Sequence, residues 1–214
     1  MEAFAAALSQ GADGIELDLR VSKDGELVVV HDTNLHRIAG DAHKVSELSA
    51  ADLAKVPLRQ GGSIPSLQDV TANVHQPAVL DMEIKQRNVI SPLIVKLKTS
   101  ASLRERTIVS SFSIPALQDV GREVPDVRRL LLVVRWPLPL RRAIFEQRIL
   151  NLHPWGVAFP IGLLNRRRVA YLRRLGLMVG GWDRRRPKQE ARKAKALGLD
   201  VAILQNIQEG RGRV

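Results

Sequence analysis

The sequence contains no cysteine in its 214 residues. This absence excludes a disulfide framework and any zinc site built on cysteine thiolates, so a bound metal would have to be held by oxygen or imidazole ligands. Oxygen ligands favour hard divalent cations such as Mg²⁺ and Ca²⁺. The candidate metal ligands in this chain are therefore carboxylates and histidines.

Long apolar runs are also absent. No stretch approaches the roughly 18 apolar residues that span a bilayer, and the amino terminus lacks the basic segment and apolar core of a signal peptide. Hydrophobic residues make up 45% of the chain and charged residues 26%, as in ordinary globular proteins. We expect a cytoplasmic protein with a single domain over residues 1–214, which is long enough for a barrel or a doubly wound sheet.

Aromatic residues are few, with three Trp, four Phe and one Tyr. Single-stranded nucleic acid needs stacking platforms interleaved with positive charge, so nucleic acid is not an expected partner despite the net charge of +11. A solvated basic surface is the simpler interpretation, and electrostatic attraction to an anionic membrane or a polyanion is the alternative. The arginine clusters lie in the second half, at Arg141–Arg142, Arg166–Arg168, Arg173–Arg174 and Arg184–Arg186.

Short apolar runs alternate with helical segments along the chain, which favours a parallel sheet, either a barrel or an open doubly wound sheet. Ser49 with Asp52 predicts a helix start, and Pro187 and Gly198 predict the two ends of another helix. The predicted strands are Gly14–Leu19, Leu27–His31, Ala78–Ile84, Thr107–Ser111, Arg129–Val134, Gly156–Pro160, Leu177–Trp182 and Asp200–Leu204.

The first two strands break this alternation. Only seven residues separate Leu19 from Leu27, whereas a parallel crossover needs about a dozen or more. An antiparallel hairpin is therefore expected, and Asp24-Gly25 is a strong signal for a two-residue turn.

The hairpin register predicts a polar cluster. If Lys23 faces Glu26 across the turn, His31 falls opposite Asp18, and directly paired side chains point to one face about 5 Å apart. Strand alternation then adds Glu16 to that face. The alternative is that Glu16 and Asp18 lie on a solvated face while the intervening apolar residues face the core.

A second strand, "AVLDMEIK", favours the functional alternative. Asp81, Glu83 and Lys85 alternate there with apolar residues. Parallel α/β proteins place their chemistry at the carboxyl ends of strands, so charged residues on two such strands indicate an active site.

Taken together, these stretches resemble the glycerophosphodiester phosphodiesterase family, a branch of the phospholipase-C-like (β/α)8 TIM barrels. The resemblance is carried by "EAFAAALSQGADGIELDLRVSKDGELVVVHDTNLHRIAGD", "SIPSLQDV", "LDMEIK", "SSFS" and "GLMVGGW". It extends over nearly the whole chain and is strongest in the first 85 residues. The implied activity is hydrolysis of glycerophosphodiesters to an alcohol and glycerol 3-phosphate, in glycerophospholipid metabolism.

The resemblance also implies roles for individual residues. Glu16, Asp18 and Glu83 correspond to ligands of a divalent cation, Mg or Ca. His31 corresponds to one of two catalytic histidines, and Lys85 to the cation that meets the substrate phosphate. Trp182 corresponds to a tryptophan at the barrel mouth that contacts the glycerol side.

One departure from the family pattern concerns the amino terminus. Family members begin with a strand that ends in His-Arg-Gly and a loop that contains Glu-Asn-Thr, before the helix that here begins "MEAF". The resemblance therefore implies an incomplete barrel that lacks its first strand. With that segment it also lacks a second catalytic histidine, an arginine that faces the phosphate and one glutamate ligand of the metal. We expect Met1 to correspond to an internal methionine of the family. The missing strand should leave an unpaired sheet edge on each side of its place in the barrel. We also expect weak or no activity.

Smaller departures follow Trp182, where Asp183-Arg184-Arg185 replaces Thr-x-Asn, and in the last strand, "VAILQNIQEG". They bear on substrate preference. Two other hypotheses stay open at this point. One is a non-catalytic barrel remnant that binds an anionic membrane or a polyanion through its Arg-rich face. The other is a related diesterase that acts on phosphatidylinositol or sphingomyelin.

Overall fold

The computed structural model describes residues 1–183 and 187–204. Within these ranges the chain forms ten α-helices and eight β-strands. The elements through residue 123 are α1 (Glu2–Ser9), β1 (Gly14–Val21), β2 (Leu27–Val29), α2 (His36–Ala39), α3 (Ala50–Leu53), α4 (Leu67–Asn73), β3 (Val79–Ile84), α5 (Ile90–Thr99), α6 (Ala101–Glu105), β4 (Thr107–Ser111) and α7 (Ile114–Glu123). The remaining elements are β5 (Arg128–Leu132), α8 (Arg142–Leu152), β6 (Gly156–Pro160), α9 (Arg166–Arg174), β7 (Met178–Trp182), α10 (Pro187–Leu197) and β8 (Val201–Ile203).

All eight predicted strands are present, and each end lies within two residues of its predicted position. The helix start at Ser49 is confirmed, because its hydroxyl accepts a hydrogen bond from the Asp52 N–H at 3.1 Å. The helix between Pro187 and Gly198 is confirmed as well. The predicted roles of Arg184–Arg186 and of the chain from residue 205 onward lie outside the described residues. The α/β class is confirmed, whereas the incomplete barrel stays a prediction.

The chain divides into two compact units, and the single domain over residues 1–214 stays a prediction. The first unit comprises residues 1–109 and 119–127, with the strand order β2-β1-β3-β4. Strand β1 pairs antiparallel with β2 and parallel with β3. Leu17 and Leu19 are fully buried on one face of β1, so Glu16, Asp18 and Arg20 share its other face.

The register predicted for the hairpin is wrong by one residue. Leu19 lies opposite Val29, which leaves three residues in the turn instead of two. The Ser22 N–H donates to the Glu26 carbonyl at 3.0 Å, and the Gly25 N–H donates to the Ser22 carbonyl at 3.1 Å. Gly25 has a φ of +85°, the left-handed conformation that a three-residue hairpin turn places at this position.

This register separates two side chains that the sequence predicted to be paired. Asp18 lies opposite Val30, whose N–H donates to the Asp18 carbonyl at 2.9 Å, so His31 is not its cross-strand partner. Strand β2 also ends at Val29 and does not reach His31. The Ser22 hydroxyl stabilises the longer turn, because it donates to the Asp24 carboxylate at 2.5 Å and accepts from the Glu26 N–H at 3.0 Å.

The segment after the hairpin has an apolar core of its own, which holds the chain after β2 in place. Buried residues from β2, the neighbourhood of α2, and the chain before and after α3 pack together there. They are Val28, Val30, Leu35, Val45, Leu53, Val56 and Ile64. The residues that follow β2 therefore extend from a packed element.

Among the described residues, the second unit comprises 110–118, 128–183 and 187–204 and has the parallel strand order β5-β6-β7-β8. Phe159 on β6 is fully buried and lies 5.0 Å from the Trp136 ring, measured between centroids. A Cβ atom at Gly181 would lie 2.6 Å from Ile161 and 2.8 Å from Leu199, so β7 needs glycine where these side chains cross it. Every helix among the described residues is too short or too polar to span a lipid bilayer.

Candidate metal centre and active site

Three carboxylates converge in the first unit. Glu16 and Asp18 project from the same face of β1, and the parallel register places Glu83 of β3 directly beside Asp18. One oxygen from each of the three groups lies within 4.8 Å of the other two. Glu83 is buried, and Glu16 and Asp18 are half-buried. Together, these groups could hold a metal ion.

Lys85 follows β3 directly and bridges two of these carboxylates. Its Nζ atom lies 2.9 Å from Oδ1 of Asp18 and 2.8 Å from Oε1 of Glu83. The lysine side chain is only 18% exposed, which strengthens both ion pairs relative to surface pairs. The structure thus brings together Glu16, Asp18, Glu83 and Lys85, four of the six residues that the sequence singled out.

Burial and mutual repulsion alter the protonation of this cluster. Burial raises the pKa of Glu16 to about 9, and the negative charges of Asp18, Asp81 and Glu83 contribute to the same shift. Burial also raises the pKa of Glu83, although the hydrogen bond from Lys85 opposes this effect. For Lys85, burial lowers the pKa, but the hydrogen bond to Glu83 and the charge of Asp18 outweigh it and raise the pKa overall.

The chemistry of the three carboxylates matches that of a site for a divalent cation. The donor set consists of carboxylate oxygens, which are the ligands that Mg²⁺ and Ca²⁺ prefer. Burial is the main cause of the raised pKa values of Glu16 and Glu83, and the charges of neighbouring carboxylates add to it. A bound cation would favour the ionised form of both groups, so the residues fit a divalent cation.

His31 follows the hairpin and is held by Asp32, a carboxylate outside the cluster. Its Nδ1 atom is 2.8 Å from Oδ1 of Asp32, and its side chain is 63% exposed. The positive charge of a protonated His31 lowers the pKa of Glu83, so the imidazole acts electrostatically on the cluster even though it is not opposite Asp18.

Asp32 is in turn fixed by Arg37. The Arg37 Nε atom donates to Oδ2 at 2.6 Å and Nη2 donates to Oδ1 at 3.1 Å. The hydrogen bond from Arg37 lowers the pKa of Asp32 to about 2, and the hydrogen bond with His31 acts in the same direction. Because Asp32 is ionised near neutral pH, it favours the tautomer with a proton on Nδ1, which leaves Nε2 for proton exchange.

Sequence reasoning missed Arg20 and Asp32 as parts of the site. Arg20 is 8% exposed, and both its Nε and Nη2 atoms donate to the His31 carbonyl, at 2.9 and 2.5 Å. Burial lowers the pKa of Arg20, and the charges of nearby carboxylates oppose this effect. Two sequence signals could have identified these residues: Arg20 continues the alternation of Glu16 and Asp18, and Asp32 directly follows His31.

Trp182 lies at the end of β7, in the second unit. Its ring meets Phe112 edge to face, with 6.1 Å between centroids and an interplanar angle of 87°. This contact explains how the ring is held, and the role of Trp182 in substrate binding stays a prediction.

Comparison with known proteins identifies the family. A sequence profile of the glycerophosphoryl diester phosphodiesterase family matches residues 1–209. The chain belongs to this family. The resemblance inferred from the sequence motifs is therefore confirmed, and the relatives named in this family are hydrolases.

One relative in this family is a glycerophosphodiester phosphodiesterase from Caldanaerobacter subterraneus subsp. tengcongensis. It is 31% identical over 170 residues, which cover 72% of this chain and 68% of the relative. With another family member, from Mycobacterium tuberculosis, the chain aligns with only 58% of the relative's length. The chain thus spans 58% to 68% of the length of these two relatives.

Two solved structures of the family have the same fold. The glycerophosphodiester phosphodiesterase of Thermotoga maritima superposes with a TM-score of 0.75 at 26% identity, covering 94% of this chain and 85% of that one. An Oleispira antarctica phosphodiesterase, solved with its product sn-glycerol-3-phosphate, has a TM-score of 0.79 at 22% identity, covering 94% and 84%. At that lower identity the likeness shows the fold alone.

Proposed function

We propose that the chain binds a divalent cation, Mg or Ca, through Glu16, Asp18 and Glu83 and hydrolyses glycerophosphodiesters to an alcohol and glycerol 3-phosphate. The observation that carries this proposal is the convergence of three carboxylate oxygens within 4.8 Å, in a chain of this family. The Caldanaerobacter relative, a glycerophosphodiester phosphodiesterase 31% identical over 72% of this chain, supports the class of reaction.

The cation supplies electrostatic stabilisation when it is bound, because it polarises a phosphoryl oxygen and offsets the charge that develops in the transition state. Lys85 contributes a second positive charge, held beside the cluster by Asp18 and Glu83. We assign it to the substrate phosphate. Because two carboxylates hold the ammonium at a fixed position, its third N–H can donate to a phosphate oxygen.

His31 exchanges the proton in this reaction. Hydrolysis adds water to phosphorus and breaks the bond between phosphorus and the oxygen of the leaving alcohol, which takes up a proton. With Nδ1 hydrogen-bonded to ionised Asp32, the free Nε2 atom is the nitrogen that gives or takes this proton. A positioned acid or base contributes about 10²- to 10⁴-fold to such reactions.

The resemblance implies a second catalytic histidine that has no counterpart between Met1 and Val214. We therefore expect the polypeptide of residues 1–214 to turn over about 10²- to 10⁴-fold more slowly than a site with both acid/base groups. Trp182 is assigned to the glycerol side of the substrate, and the identity of the headgroup is a matter for substrate profiling. Profiling against phosphatidylinositol and sphingomyelin separates this function from the related diesterases.

The direct test is an assay of glycerol 3-phosphate release from glycerophosphocholine, with Mg²⁺, with Ca²⁺ and with a chelator. His31→Asn should abolish the residual turnover, and chelation should do the same. His43→Asn is a matched control, because His43 is an exposed histidine of the same unit whose Nδ1 atom lies 2.5 Å from Asp41. Turnover that survives both His31→Asn and the chelator would contradict the proposal.

A second candidate function, docking on an anionic lipid surface, is favoured by one observation in the second unit. Leu138, Leu140 and Ile144 are 67%, 96% and 53% exposed. Arg141 and Arg142 lie between them in the chain and are exposed too. Exposed aliphatic side chains next to arginines are typical of segments that lie in a membrane interface, where apolar groups insert and arginines meet lipid phosphates.

The arginine clusters themselves argue less strongly for this function, because several members are engaged locally. Arg142 stacks on Tyr171 at 5.3 Å and Arg168 on Trp136 at 4.7 Å, measured to the ring centroids. Substitutions of Leu138, Leu140 and Ile144 therefore test membrane docking more directly than substitutions in the arginine clusters.

Sedimentation with vesicles of phosphatidylcholine, with and without phosphatidylglycerol, tests this docking. Binding should require phosphatidylglycerol, weaken as salt is added, and be lost in Leu138→Ser/Leu140→Ser. Leu150→Ser serves as the control, since Leu150 is 55% exposed on α8 but lies outside the run. Equal loss in the control, or self-association in place of vesicle binding, would count against a lipid partner.

A further inference from the structure

The strand that supplies two carboxylates of the site also carries a buried arginine. Glu16, Asp18 and Arg20 occupy alternate positions of β1 and therefore share one face. Arg20 is 8% exposed, and among the described residues it forms no ion pair with a carboxylate. Its guanidinium instead directs two donors at one backbone oxygen, the carbonyl of His31.

This contact falls where the backbone ladder of the hairpin ends. The Val30 N–H donates to the Asp18 carbonyl at 2.9 Å, and past Val30 no main-chain hydrogen bond returns to β1 within the described ranges. His31 is therefore the first residue after the ladder, and β1 holds it through the side chain of Arg20 instead of a main-chain hydrogen bond. The two bonds from Arg20 continue the attachment by one residue, to the backbone from which the imidazole projects.

We infer that Arg20 is a positioning residue for His31, which it holds by its backbone on the strand that carries Glu16 and Asp18. The inference rests on the proposed function of His31 as the proton-exchanging group. Asp32 holds the imidazole at Nδ1 and Arg20 holds the backbone carbonyl, so both the side chain and the main chain of His31 are fixed. A planar guanidinium can place two donors on one oxygen, which a lysine ammonium on a flexible stem does less well.

The alternative is that Arg20 only contributes stability, as a buried group with satisfied hydrogen bonds. Arg106 provides a comparison, because it is a half-buried arginine of the same unit whose guanidinium also donates to backbone carbonyls. Its Nη1 atom lies 2.5 Å from the Val74 oxygen and 3.5 Å from the Ala78 oxygen. None of these hydrogen bonds joins Arg106 to a residue of the site. Its removal therefore measures the loss of stability that follows from removing a guanidinium alone.

The test compares Arg20→Met, Arg20→Lys and Arg106→Met in protein labelled with ¹⁵N in histidine. The His31 signals are assigned from their loss in His31→Asn, and denaturation in urea measures the stability of each variant. Arg20→Met should redistribute the Nδ1–H and Nε2–H tautomers of His31 and lower kcat about 10- to 100-fold with little change in KM, as a misplaced catalytic group does. Arg20→Lys should restore part of both effects, and Arg106→Met should change neither.

The outcomes separate this inference from the function on which it rests. If Arg20→Met and Arg106→Met lower stability alike while the His31 signals and kcat stay as in the wild type, Arg20 is structural and the inference is wrong. If the wild-type chain shows no turnover, the proposed function fails, and the histidine spectra still decide the positioning. If Arg20→Met does not fold, Arg20→Lys carries the comparison, since it keeps the buried positive charge.

Discussion

Asp18 and Glu83 are neighbours in the parallel register of β1 and β3, and both carboxylates bond to the ammonium of Lys85. Like charges side by side on adjacent strands destabilise a sheet, and burial makes the repulsion larger. The shared lysine pairs directly with two of the three carboxylates and acts on Glu16 without an ion pair to it. One oxygen of Glu16 still lies within 4.8 Å of the other two carboxylates, so a single cation could meet all three groups.

Removal of a carboxylate should weaken cation binding. Asp18→Asn and Glu83→Gln each delete one charged oxygen ligand, so the affinity for Ca²⁺ or Mg²⁺ should fall at least about tenfold, as measured by isothermal titration calorimetry. Glu123→Gln is the control, because Glu123 is exposed in the same unit and pairs only with Lys98 among the ion pairs of the described residues. Equal affinity in all three variants would show that the cation binds elsewhere.

Glu16 should make both stability and cation binding depend on pH. Its pKa is raised from 4.5 to about 9, so the metal-free folded protein keeps a proton that the unfolded chain releases. Between these two values the folded state binds more protons, and stability therefore falls as the pH rises. Cation binding displaces this proton, so the affinity should increase as the pH rises toward about 9.

Urea denaturation of metal-free protein at several pH values measures the first effect. Glu16→Gln should flatten the dependence and stabilise the metal-free protein by about 1 to 2 kcal/mol near pH 8, because the buried position no longer has to hold or lose a proton. Calorimetry in buffers of different ionisation enthalpy counts the proton released on cation binding. A variant as pH-dependent as the wild type would assign the effect to another group.

The sequence predicted the cluster well because strand alternation and parallel pairing determine it. Once Glu16 and Asp18 are assigned to one face of a strand, and Glu83 and Lys85 to its parallel neighbour, convergence follows from the period of the strands. The same reasoning does not extend to Arg20, whose long side chain reaches His31 only in the folded hairpin.

The register of the hairpin could not be predicted from Asp24-Gly25 alone. This dipeptide is compatible with a two-residue and a three-residue turn, and the difference depends on whether the Ser22 hydroxyl caps the loop. A change of one residue in register moves every later side chain to the other face, so the predicted pairing of His31 with Asp18 is wrong. The contact between His31 and Asp32, which are adjacent in the chain, survives this change because it does not depend on the register.

Gly25→Ala should destabilise the hairpin. At a φ of +85° a side chain strains the backbone, although no atom lies within 4 Å of the added Cβ, so the cost should be about 1 kcal/mol from conformation alone. Gly162→Ala is the control, since its φ is not in the left-handed region and its nearest neighbour, an oxygen of Glu190, is at an ordinary 3.7 Å. The free energy of unfolding in urea measures both, and equal values would contradict the three-residue turn.

Asp32→Asn should impair His31 without affecting the cation site. The Asp32 carboxylate, whose pKa Arg37 lowers to about 2, accepts a hydrogen bond from Nδ1 and so selects the tautomer with Nε2 free. An asparagine can present its amide N–H to the same nitrogen and favour the other tautomer, which should lower kcat about 10²- to 10⁴-fold, the full contribution of a positioned acid or base.

Calcium affinity should stay as in the wild type, because Asp32 is not one of the three clustered carboxylates. Asp41→Asn, which alters the corresponding partner of His43, should leave kcat unchanged. A loss of calcium binding in Asp32→Asn would instead place Asp32 among the cation ligands and contradict its assignment to His31.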